Sequence, residues 1–182
     1  MYSRSVSRNH SRPEYSWKML PVLASLSLLV AAVAATVPQT VILIRHGEKD
    51  SGNNLSPRGV QRSKCLAHLF TNTTGPFPTP PSHLFAYSDK SSNRSMETLA
   101  PLSYRIGVPI DTATGRDDVK GLVARIRMLP AEETMLVCWE HTVLTKIAKE
   151  LGVVSPKNYP SSEFDWAWTV VGGELTQVNE NC

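Results

Sequence analysis

The run Val41-Ile42-Leu43-Ile44 ends abruptly in Arg45-His46-Gly47-Glu48, and this junction constrains the fold more tightly than any other in the chain. β-Branched and leucine side chains with no polar alternation read as a strand covered on both faces, the kind found inside a parallel sheet. A second such strand, Thr134–Trp139, ends in the same manner in Glu140-His141. The first polar residues after a strand of this kind emerge at its carboxyl end, where open α/β sheets place their ligands.

The segments between these strands alternate in type. Ser56-Pro57 supplies an N-cap followed by proline at the first helical position, opening a helix to about Phe70. Thr71 to Ser82 is rich in proline and is a surface loop. Leu84–Tyr87 reads as a short strand, and residues 88–93 as a polar loop feeding a helix from Arg94, which Pro101 should bend or end. Pro109–Asp111 is a candidate third strand. Asp117 and Asp118 cap a helix with Val119, Leu122, Val123, Ile126 and Leu129 at helical spacing. A helix over Thr142–Leu151 stops at Gly152, and Trp166–Val171 pairs with Glu174–Val178 around Gly172-Gly173. The alternation predicts an α/β domain of three layers, α/β/α, with a mainly parallel sheet, over residues 38–182.

Residues 1–37 read differently. Arg4, Arg8, Arg12 and Lys18 against Glu14 account for the whole formal charge of +3, so the domain itself is neutral and gives no support to nucleic-acid binding. Residues 19–37 carry no charge and are dominated by Leu, Val and Ala. A basic stretch, an apolar core and the Ala32-Val33-Ala34 site together predict a secretory signal peptide. A single uncleaved membrane anchor competes with it, and either sends the domain into the secretory route, secreted or attached through residues 19–37. Cys65, Cys138 and Cys182 show no metal-like spacing; one disulfide pair is compatible with that route, and Cys138 reads as core. Asn54, Asn72 and Asn93 head acceptor sequons for glycosylation, Asn72 being the best placed.

Three separate strands thus deliver Arg45 and His46, Arg94, and His141 to one edge of one sheet. Those residue types suit phosphoryl transfer, in which negative charge spreads over the equatorial oxygens and catalysis is mainly positioning and electrostatics. Two guanidinium forks can clamp the oxygens, His141 can donate to a third, and a neutral His46 can attack in line. Gly47 would let the backbone turn tightly there. The arginines supply the positive charge, so neither a metal nor a cofactor is required.

Arg45-His46-Gly47-Glu48, Leu55-Ser56-Pro57-Arg58-Gly59, Tyr87-Ser88 through Arg94 to Thr98, and Trp139-Glu140-His141, in this order, resemble the histidine phosphatase superfamily, also called phosphoglycerate mutase-like. The resemblance implies a phosphorylated His46, with Arg45, Arg94 and His141 as the phosphate pocket, acting on a small phosphorylated substrate or a phosphoprotein. Many members carry a proton-donating carboxylate in an insertion after the second arginine or directly after the second histidine. Here Thr142 follows His141 and the insertion is short. Glu140, Glu48, Asp111, Asp117 and Asp118 remain as candidates, the last two more simply helix caps, and Glu48 equally suited to orienting an arginine. Members without an obvious acid favour good leaving groups such as phosphohistidine or acyl phosphates.

The leading expectation is therefore a metal-independent phosphatase working through phosphohistidine. A catalytically weak binder of phosphorylated ligands, a phosphomutase, and a metallohydrolase built on His46, Glu48, Glu140 and His141 are the alternatives. Arg58 and Arg62 are expected to be solvated, Arg58 within reach of the pocket rim. His68 and His83 are expected to be ordinary surface residues, and Trp139, Trp166 and Trp168 to be packing.

Overall fold

A computed structural model of the chain describes residues 39–182 apart from Ser88, Lys90 and Ser91. The basic stretch, the signal or anchor segment of residues 19–37 and the Ser88 position lie outside the described residues. Among the described residues no helix is long and apolar enough to cross a membrane.

The two apolar runs become β1 (Thr40–Arg45) and β4 (Thr134–Trp139), paired in parallel with Arg45 opposite Trp139. Alternate residues of each face opposite sides of the sheet, and both sides are covered. Val41, Leu43, Met135, Val137 and Trp139 pack with Leu122, Val123 and Ile126 of α3 (Val119–Arg127) and with Val143, Leu144 and Ile147 of α4 (His141–Glu150). Ile42, Ile44, Leu136 and Cys138 pack on the other side with Leu66 and Ala67 of α1 (Pro57–Leu69) and with Leu99 and Leu102 of α2 (Arg94–Ile106). This is why neither strand alternates in sequence: there is no wet face to write.

The sheet also contains β2 (His83–Ala86), β3 (Ile110–Asp111), β5 (Trp166–Val171) and β6 (Glu174–Asn179), in the order β3-β2-β4-β1-β5-β6. The first four are parallel, and β5 and β6 add an antiparallel hairpin beside β1. Its turn holds Gly172 at φ 58° and Gly173 at φ 85°, the pair of positive dihedrals that a two-residue type I′ turn demands. The fold is thus the three-layer α/β/α arrangement, mostly parallel.

Pro101 does not stop α2, which continues to Ile106 and is capped by Gly107 at φ 71°. Proline removes one N–H from the ladder, but Leu99 and Leu102 on either side of it are each 1% exposed. Their burial holds both halves of the helix on the sheet.

Candidate active site

The strand order places β4 between β2 and β1, so the residues after all three strands meet at one edge. His46 follows β1 and its backbone N–H donates to Trp139 O at 3.1 Å. Arg94 begins α2, and His141 begins α4. Two helix N-termini, with their partial positive charge, therefore open onto the edge that carries the two arginines.

His46 is 4% exposed. Its Nδ1 lies 2.8 Å from Gly47 O, a contact that only a protonated Nδ1 can turn into a hydrogen bond, so Nε2 carries the lone pair. Burial, together with the charges of Arg94 and Arg45 and against the pull of the Gly47 carbonyl, lowers the imidazole to about 4. At neutral pH it is uncharged. His141 is also held below the ordinary histidine range, first by burial and then by Arg45, with Glu140 opposing.

Arg45 is fixed from below. Its Nη1 donates to Ser161 O and Glu163 O, both at 2.7 Å, and its guanidinium lies 3.6 Å from the centre of the Phe164 ring. Arg94 reaches Asn53 Oδ1 through Nη1 at 3.4 Å. Thr98 ties this helix start to the nucleophile turn: its hydroxyl accepts from Gly47 N at 2.9 Å and donates to Arg94 O at 2.7 Å.

Among the described residues, six buried side-chain nitrogen or oxygen atoms lack a hydrogen-bond partner, and three of them are Arg45 Nε, Arg94 Nε and His141 Nδ1. Glu140 Oε1 is 2.6 Å from His141 Nδ1, but off the line of the ring N–H, so the contact is electrostatic. Buried donors rarely go unpaired. Arg45 and Arg94 both act on the uncharged His46, and Arg45 acts on His141 in turn, an arrangement of unpartnered nitrogens and positive charge suited to an oxyanion.

The candidate carboxylates each have partners of their own, though Glu140 keeps Oε1 beside His141. Glu48 pairs with Arg62 in two contacts, 2.8 and 3.0 Å, and with Arg58 at 2.9 Å, so it does orient an arginine. Glu140 caps α4, accepting from Thr142 N at 3.0 Å and from the Thr142 hydroxyl. Asp111 is held by Arg125 and Ala113 N, Asp117 by Arg116, and Asp118 caps α3 through Gly121 N. Asp117 is thus an exposed ion-pair partner and not a cap.

Two expectations are corrected here. Arg62 is not solvated: it is 1% exposed and contacts Glu48, Asp165 and Glu180. Its position was readable, because Gly59, Arg62, Ser63, Leu66 and Ala67 form one buried stripe at helical spacing. His83 is half-buried against Glu133, whereas His68 is an exposed surface residue as expected, in contact with Arg105. The loop that holds Arg45 gave no sequence signal, since it acts through backbone carbonyls. Trp139 and Trp168 are core, as expected, and Cys138 is buried with its thiol pushed far up by burial.

A cavity of about 550 Å³ lies beside β3, walled by Phe85, Val108, Ile110 and Met128. None of the four candidate residues lines it.

No protein-family model matches the chain, and no curated protein matches its sequence. Solved structures do match its fold. The protein histidine phosphatase SixA, in complex with tungstate, superposes with a TM-score of 0.58 at 16% identity, over 79% of this chain and 98% of that one. A putative alpha-ribazole-5'-P phosphatase from Escherichia coli gives 0.51 at 14% identity, over 78% and 95%. A putative phosphohistidine phosphatase SixA from Agrobacterium tumefaciens gives 0.51 at 12% identity, over 78% and 97%. The chain has the fold of the histidine phosphatase superfamily.

Proposed function

We propose that this chain is a metal-independent phosphatase in which His46 Nε2 takes the phosphoryl group and water then removes it. The observation that carries this reading is the uncharged, buried His46 within electrostatic reach of Arg45 and Arg94, whose Nε atoms are buried without partners. In the first step a bond forms between Nε2 and phosphorus while the bond to the leaving group breaks, its electron pair departing with that group. The arginines hold the equatorial oxygens as charge redistributes over them. In the second step water attacks the phosphohistidine, yielding inorganic phosphate and restoring the lone pair on Nε2.

Glu48 is engaged by Arg62, and Glu140 by the α4 cap through Oε2 and by His141 through Oε1. A leaving group that needs a proton is therefore poorly served. This favours phosphoramidates, including phosphohistidine on another protein, and acyl phosphates over simple esters. The fold neighbours named as phosphohistidine phosphatases agree with this substrate class. The same engagement of Glu48 and Glu140 supports a second reading, a binder of phosphorylated ligands that turns over slowly. The joining of Cys65 and Cys182 as a disulfide supports an oxidising compartment. It fits a chain whose residues 1–37 direct residues 38–182 to the secretory route.

The test is capture of labelled phosphate from a phosphoramidate and from an acyl phosphate by the full chain, quenched in alkali. We expect a base-stable, acid-labile label on His46, with turnover, absent from His46→Ala. Label without turnover selects the binder, and neither label nor turnover with any donor refutes the phosphatase.

A further inference from the structure

We propose that Arg62 is a positioning residue that holds the two sides of the phosphate site in register, the His46 turn on one side and the loop beneath Arg45 on the other. The proposal rests on the reading of His46 as nucleophile and Arg45 as phosphate ligand.

Arg62 lies in α1, one layer behind the sheet edge, and is 1% exposed. Its guanidinium uses two donors on one carboxylate and a third on another. Nε and Nη2 contact the two oxygens of Glu48 at 3.0 and 2.8 Å. Glu48 is two residues beyond His46, so this fork fixes the turn on which the nucleophile sits. Nη1 contacts Asp165 Oδ1, and Glu180 Oε2 lies 3.5 Å from it. Asp165 closes the loop whose Ser161 and Glu163 carbonyls accept from Arg45 Nη1. Phe164, between them, has its ring 3.6 Å from the Arg45 guanidinium and 6.0 Å from that of Arg62. Arg45 is thus held by a loop that Arg62 holds.

The loop is pinned a second time. Asp165 O accepts from Glu180 N at 2.6 Å, and two residues later Cys182 is bonded to Cys65 of α1. Arg62 and Cys65 are neighbours on one helix, so a single helix carries both anchors of the loop and the clamp on the turn. A lysine could supply the charge but not the planar fork that meets two carboxylates at fixed angles.

The arrangement assigns separable effects to its two arms. Asp165→Asn weakens the arm to the Arg45 loop by removing its charge, at a partly exposed side chain, and leaves the Arg62–Glu48 pair. Glu48→Gln weakens the arm to the His46 turn, replacing one of the two acceptor oxygens with a donor. The experiment measures tungstate affinity, kcat, KM and thermal midpoint for the full chain, for both variants and for Arg62→Lys. With midpoints close to that of the unaltered protein, Asp165→Asn should weaken tungstate and raise KM by about tenfold, and Glu48→Gln should lower kcat by about tenfold, as misplacement of either partner predicts. Arg62→Lys should show both losses. If the unaltered protein neither binds tungstate nor forms phosphoenzyme, the functional reading falls and this proposal with it. If it does both, and folded Asp165→Asn and Glu48→Gln match it in tungstate affinity, KM and kcat, only the positioning role is refuted. Should Arg62→Lys fail to fold, the two carboxylate variants decide alone.

Discussion

His46 sets the chemistry through its protonation state. Burial removes the imidazolium from water, and the charges of Arg94 and Arg45 oppose it further, so the folded value drops from 6.5 to about 4. The sign for stability follows. Below about 6.5 the unfolded imidazole binds a proton that the folded one refuses, so this residue's contribution to stability is present above 6.5 and is lost as pH falls towards 4. An NMR titration of the His46 ring should give a midpoint near 4, and a midpoint near 6.5 would mean the ring is solvated. Arg94→Ala should raise the midpoint, because it removes one opposing charge. It should also lower kcat/KM about 100-fold, roughly 3 kcal/mol, as the loss of one oxyanion donor does. A variant with unchanged kcat/KM would remove Arg94 from the site.

At the scale of elements, the crossing of the β1 exit and the α1 entry is what lets the site form. A side chain added at Gly59 would stand 2.3 Å from Glu48 O, and one at Gly47 would stand 3.1 Å from Gly59 O. Gly47 is therefore small for the sake of Gly59 and not only for a tight turn. Gly59→Ala must push β1's exit away from α1 and strain the Glu48–Arg62 pair beyond it. We expect a loss of about 1–3 kcal/mol in denaturant unfolding, the usual cost of overpacking, together with weakened anion binding. An unaltered unfolding midpoint would show that the crossing can relax. The same junction explains what could be read from sequence. Val41–Ile44 and Met135–Trp139 announced their strands because each is buried on both faces. His46 and His141 could be placed because they directly follow those strands, and α2 could be placed to its first residue, Arg94. Arg62 was legible in the helical stripe of α1, but its charge argued for solvent until Glu48, Asp165 and Glu180, distant in sequence, were seen around it. The Ser161 and Glu163 carbonyls leave no mark in side-chain chemistry. Pro101 left open whether α2 bends or ends there, because propensity is local, whereas the burial of Leu99 and Leu102 is not.

Across the whole molecule, Cys65–Cys182 joins α1 to the C-terminal end at a sequence separation of 117. Closing so long a loop removes entropy from the unfolded chain, worth roughly 5 kcal/mol in the chain-entropy account. The bond also sits next to Glu180, whose buried carboxyl is raised to about 8, chiefly by desolvation and despite Arg62. An acid raised in this way favours folding most below its unfolded value near 4.5, and that contribution is lost as pH rises through about 8. At alkaline pH Glu180 ionises inside the protein, and the disulfide then carries more of the work of holding the C-terminal end on α1. Cys65→Ser with Cys182→Ser should therefore lower the unfolding free energy by several kcal/mol at pH 7. The deficit in anion binding should widen between pH 7 and pH 9, as the end bearing Glu180 loosens from Asp165. Denaturant unfolding and tungstate titration at both pH values measure the two effects. Cys138 does not confuse the experiment, because it is buried and unpaired. A double variant that unfolds like the unaltered protein would show that β6 and the core around Val178 hold the C-terminal end by packing alone. A deficit in anion binding that stays constant with pH would separate Glu180 from the retention of that end.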